Sequence, residues 1–128
     1  MTETSPIASV GFIRSVHEGV DNATEQAVRR TAGVPVTGVE LRIAHPETGE
    51  EMPRDGESEG EVQARGPWIT GSYYDRPDGA ADFTADGWLK TGDVGVLQRD
   101  GYLKLVDRTK DLIKTGGEWI PSVQVENE

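Results

Sequence analysis

A chain of 128 residues with a 34% hydrophobic fraction has room for one small domain and a core of modest size. Its 13 basic residues against 23 acidic ones leave a net charge of −10, which repels phosphate backbones and anionic lipid and so excludes nucleic acid and membrane surfaces as expected partners. The absence of cysteine rules out a disulfide framework and thiolate metal sites, and two histidines, His17 and His45, are too few and too far apart for a zinc cluster.

Met1-Thr2-Glu3-Thr4 has neither the basic start nor the apolar run of a signal peptide. No later window approaches the roughly 20 apolar residues of a transmembrane helix, so the expected location is cytoplasmic. Ser15 to Arg30 is polar, and Glu25 to Arg30 favours a short surface helix with Asn22 or Thr24 as its cap. Gly33 to Gly38 breaks any helix. Val39, Leu41 and Ile43 then alternate with Glu40, Arg42 and Ala44 as a half-buried strand does. A turn follows at Pro46 to Gly49, then an acidic loop from Met52 to Gly60 and a second strand from Glu61 to Arg65, which Gly66-Pro67 stops. Beyond Tyr73-Tyr74, Pro77 opens a short helix on which Ala80, Ala81 and Phe83 are expected to pack inward. Trp88 to Leu97 and Gly101 to Val106 read as two strands joined through Asp100-Gly101, a hairpin signal. The bulky aromatics Trp68, Tyr73, Tyr74, Trp88 and Trp119 are expected in packing roles. The predicted class is mainly β with α, an antiparallel distorted β-barrel or curled sheet.

The chemistry-bearing residues gather in two runs, Asp86-Gly87-Trp88-Leu89-Lys90-Thr91-Gly92-Asp93 and Asp107 to Glu118. Gly92 permits a backbone bend that turns the Asp93 carboxylate outward, and an ionised carboxylate accepts hydrogen bonds only. Arg108 and Lys110 lie where the apolar alternation of Tyr102 to Val106 gives way to charge. Taken alone, Asp93 reads as a turn aspartate, Arg108 as a solvated strand-end cation, Lys110 as a surface lysine and Gly116-Gly117 as a turn.

In register, however, Gly60 to Pro67, Trp88 to Gly95, Gly101 to Asp111 and Lys114 to Glu118 resemble the acyl-activating adenylate-forming enzymes. These comprise acyl-CoA synthetases, luciferases and peptide-synthetase adenylation domains. Gly116-Gly117-Glu118-Trp119-Ile120 is most similar to the medium- and long-chain fatty acyl-CoA synthetase branch, and Thr2-Glu3 matches the end of a further family motif. The resemblance implies roles. Asp93 would hold the ribose hydroxyls of ATP or AMP, Arg108 would contact ribose and phosphate, Thr2 would contact the adenylate phosphate and Glu3 would help hold Mg2+. Lys110 would be the hinge of the small domain, and Lys114 with Gly116 and Gly117 would face the active site when CoA enters. It further implies that residues 1–109 are the C-terminal part of a large AMP-binding domain and 110–128 the hinge and start of a small one. On this reading the chain is a piece of an acid–thiol ligase whose substrates are a carboxylic acid, ATP and CoA. The rest of the parent chain is then its partner, and alone it is not expected to turn over. A noncatalytic binding module on the same sheet is the competing expectation.

Overall fold

The computed structural model describes residues 1–108, 113–115 and 118–120. Their architecture is mainly β. A four-stranded antiparallel sheet runs in the order β3 (Glu40–Ala44), β4 (Gly60–Arg65), β5 (Leu89–Leu97), β6 (Leu103–Arg108). The alternation along these strands is what forms the core, because one face of each strand meets the same cluster. Leu41 and Ile43 from β3, Val62 and Ala64 from β4, Leu97 from β5 and Leu103 from β6 are buried together with Val39. Of the two forms expected, the described residues make an open sheet and not a closed barrel.

The N-terminal part docks on the far edge. β1 (Ser9–Val10) pairs antiparallel with β2 (Val34–Pro35), and Gly33 bridges to Leu103 of β6. There the Ala32 N–H donates to the Leu103 carbonyl at 2.7 Å, and the Leu103 N–H donates to the Gly33 carbonyl at 2.8 Å. The segment around Phe12 and Arg14 is fastened by Tyr102, which is fully buried. Its hydroxyl donates to the Phe12 carbonyl at 2.9 Å and accepts the Arg14 N–H at 3.2 Å. Beside it His17 Nε2 lies 3.0 Å from the Asp100 carboxylate.

The predicted helix is present as α1 (Asn22–Arg29), but its cap is Asp21. The Asp21 carboxylate accepts both the N–H of Thr24 at 3.0 Å and its hydroxyl at 2.7 Å. Thr24 is therefore the donor to the cap, as expected of a residue three positions on. The second helix is a 3-10 segment, Pro77–Asp82, and here the packing expectation needs correction. Gly79 is its buried residue, and the Tyr73 ring lies where a side chain on Gly79 would stand. Tyr73 also meets the Phe83 ring at 6.0 Å, leaving Ala80 and Ala81 exposed. Tyr74 is 99% exposed, because it sits on a turn with Asp75, whose φ is +48°, while Tyr73 before it packs inward. Trp68 is at the surface, its indole N–H donating to the Ile7 carbonyl.

Trp88 is buried as expected. The guanidinium groups of Arg42 and Arg65 lie 4.4 and 4.5 Å from its ring centroid. Arg42 also donates to the buried Gln63 at 2.7 Å and holds the Asp86 carboxylate by two bonds of 2.9 and 3.2 Å. The bonds from Arg42, and after them one from Thr84, lower the Asp86 carboxyl to about 2. A depressed carboxylate stabilises the fold above its unfolded value of 3.8 and loses that contribution as pH falls through about 2. A carbon-13 titration should therefore place the Asp86 midpoint near 2 and move it back up in Arg42→Met. A wild-type midpoint at 3.8 would show that this pair does not form in solution.

Two further strands, β7 (Ile113–Thr115) and β8 (Glu118–Ile120), pair antiparallel with Lys114 opposite Trp119. β7 carries most of the strand expected at Leu112 to Lys114. Among the described residues no helix is long and apolar enough to cross a membrane.

Candidate functional site

The site is organised by an irregularity in the β4–β5 ladder. Glu61 pairs with Val94 and Gln63 with Lys90, so Val62 alone faces the three residues Thr91, Gly92 and Asp93. A bulge of this kind bends its strand and re-aims a side chain. Gly92 takes φ +74°, the left-handed region that glycine enters without a Cβ penalty. The Thr91 hydroxyl donates to the Val62 carbonyl at 2.8 Å and accepts the Asp93 N–H at 3.2 Å. Asp93 then resumes pairing, opposite Arg108 of β6.

Across that pair Arg108 Nε stands 3.6 Å from Asp93 Oδ1, with side-chain exposures of 66% and 25%. A long, solvated ion pair contributes little to stability. Its chemical meaning is that a half-buried acceptor and an exposed forked donor are held side by side, with lone pairs and N–H groups left over for a ligand. Asp93 lines a cavity of about 280 Å³ together with Met1, Thr4, Ile7, Val62 and Leu105.

The chain's N-terminal motif reaches the same cavity. Thr2–Thr4 is a 3-10 turn in which Thr4 is buried, its hydroxyl donating to the Met1 carbonyl at 2.9 Å. Thr2 itself is exposed. The Glu3 carbonyl accepts the Thr70 N–H at 2.9 Å, and its carboxylate accepts the Tyr73 hydroxyl at 3.2 Å. Burial first, and the Glu3 charge second, push the Tyr73 phenol up. Sequence reasoning gave Tyr73 only a packing role. The available signal was that a buried tyrosine hydroxyl needs a partner.

The structure thus brings Asp93 and Arg108 together and places the Thr2–Thr4 turn on the cavity that Asp93 lines. Lys110, Gly116 and Gly117 lie outside the described residues, and Lys114 is described only as a backbone position of β7. Among the described residues no three His, Asp or Glu side chains gather as a metal site. Glu3 offers one carboxylate, which suits Mg2+ only where phosphates and water supply most of its octahedron.

Comparison with known proteins bears on what these groups hold. Residues 1–74 match the family model described as AMP-binding enzyme. A long-chain-fatty-acid–CoA ligase of Thermus thermophilus is 44% identical over 128 residues, covering 99% of this chain and 24% of the ligase. A 3-methylmercaptopropionyl-CoA ligase of Ruegeria pomeroyi is 40% identical over 127 residues, 99% of this chain and 23% of that one. Among solved structures, ATP-bound MatB from Rhodopseudomonas palustris superposes with a TM-score of 0.69 at 34% identity, over 77% of this chain and 20% of MatB. O-succinylbenzoate coenzyme A synthetase from Bacillus subtilis, in complex with ATP and magnesium ion, gives 0.67 at 34% identity, over 84% and 22%. The chain therefore spans about a quarter of the length of the curated relatives it matches.

Proposed function

The chain belongs to the AMP-binding enzyme family, and from that premise we propose that it is the ribose-holding part of an AMP-forming acyl-CoA synthetase. The observation that carries this reading is the Asp93–Arg108 pair beside the cavity reached by the Thr2–Thr4 turn. A carboxylate with free lone pairs suits two vicinal ribose hydroxyls, and the guanidinium beside it suits ribose and phosphate oxygens. In the same proposal Thr2 contacts the α-phosphate and Glu3 is a magnesium ligand, the ion supplying charge neutralisation on the phosphates when bound. Residues 1–109 belong to the large domain and 110–128 begin the small one, with Lys110 as the hinge. Lys114, Gly116 and Gly117 face the site for the CoA step.

ATP, CoA and a carboxylic acid are the substrates. A carboxylate oxygen attacks the α-phosphorus, the bond to the bridging oxygen breaks and pyrophosphate leaves. The CoA sulfur then attacks the acyl carbon, the carbon–oxygen bond to AMP breaks and the thiol proton passes to solvent. The residues of this chain act by positioning and charge stabilisation. Relatives named for long-chain and medium-chain fatty acids support a fatty acid as substrate, and the cytoplasm as location belongs to the same proposal.

The test is ATP–pyrophosphate exchange by a full-length ligase carrying these residues, across acids of graded chain length. Exchange that depends on the acid, with AMP released on adding CoA, is the expected result. Formation of ADP, or exchange indifferent to the acid, overturns the proposal.

A further inference from the structure

We infer that Thr91 is a positioning residue for the nucleotide, acting through Asp93, an inference that rests on the ribose-holding reading above. The argument starts from the bulge. Where the β4–β5 ladder skips, the buried Val62 faces three residues of β5 out of regular register, and a buried carbonyl at such a break needs a donor. One hydroxyl meets that need and a second one besides, since a threonine oxygen donates once and accepts twice. It donates to Val62 at 2.8 Å and accepts from the Asp93 N–H at 3.2 Å.

Gly92, at the middle of the bend, has open space where a side chain would stand. Packing at Gly92 therefore does not hold the bend. The Thr91 hydroxyl ties the residue before the bend to β4 and the residue after it to itself, so the direction in which Asp93 leaves the strand depends on that oxygen. Arg108 opposite, exposed and 3.6 Å away, is too loosely held to replace it.

The test compares Thr91→Val, which keeps the shape and loses the hydroxyl, with Thr91→Ser, which keeps the hydroxyl, in a full-length ligase carrying these residues. In Thr91→Val the peptide containing Asp93 should exchange its amide hydrogens about tenfold faster. KM for ATP should rise about tenfold with kcat little changed, and the preference for ATP over 2′-deoxy-ATP should shrink; Thr91→Ser should restore all three. Thr91→Cys, a weaker donor, gives an intermediate readout should the valine variant not fold. Unchanged exchange at Asp93, or faster exchange with unchanged ATP kinetics, overturns the inference. An Asp93→Asn variant with ordinary ATP kinetics overturns the ribose-holding reading instead, so the two failures are distinguishable.

Discussion

Asp93→Ala in a full-length ligase carrying these residues is expected to weaken ATP binding by about two to four orders of magnitude, the loss of two charge-assisted hydrogen bonds of about 1.5–3 kcal/mol each. The structure makes this a clean experiment. Asp93 is partly exposed and outside the core cluster, and its ion pair with Arg108 is solvated, so the variant should fold and keep its thermal midpoint. Arg108, already 66% exposed, is not stranded in a dry interior by the loss. Calorimetric titration with ATP reads the effect, and Asp93→Asn should fall between the two because an amide still offers one neutral acceptor. Wild-type affinity in the alanine variant would remove Asp93 from the nucleotide site.

The largest effect on stability is expected at Gly33. It takes φ +87°, and a methyl group there would run into the backbone of Val10 and Gly11. The residue sits where β1 and β2 join β6 through the Ala32 and Leu103 hydrogen bonds, so relief by shifting the backbone opens that junction. Gly33→Ala should cost at least about 3 kcal/mol, a large share of the stability of a small domain. Gly49→Ala is the control. Its φ of +73° is similar but nothing stands near, so it isolates the dihedral cost of about 1 kcal/mol. Equal losses of chemical-denaturation stability in the two variants would show that the close approach at Val10 does not matter.

Strands β3 and β4 were legible from a period of two in residues such as Leu41, Ile43, Val62 and Ala64, and β5 and β6 from two apolar runs joined by the Asp100-Gly101 turn, since β5 buries Val94 to Leu97 without alternation. The helix was legible from composition, and its cap, expected at Asn22 or Thr24, is Asp21, because all three are competent acceptors and only the fold selects among them. What alternation cannot show is a break in it. Thr91-Gly92-Asp93 lies inside a strand nine residues long, and nothing in the spacing says that three residues there oppose one. Asp93 and Arg108 were found as motif residues, whereas their adjacency depends on the register of β5 against β6. The partner of Glu3, Tyr73, is 70 positions away, and no local signal spans that distance.

The docking of the N-terminal segment on β6 also orders events in time. The bonds that hold it join Phe12 to Tyr102, 90 positions apart, Arg14 to Asp100, 86 apart, and Ala32 to Leu103. During synthesis none of these three can form until residues near 100 have emerged, so the Phe12 to Ala32 stretch waits for nearly all of the described sheet. Closing spans of this length carries an entropic cost before any contact offsets it. The hairpins of β3 with β4 and of β5 with β6 close over far shorter stretches, so they can form while the segment that carries Val10, Phe12 and Val16, apolar residues exposed even when docked, still waits for β6.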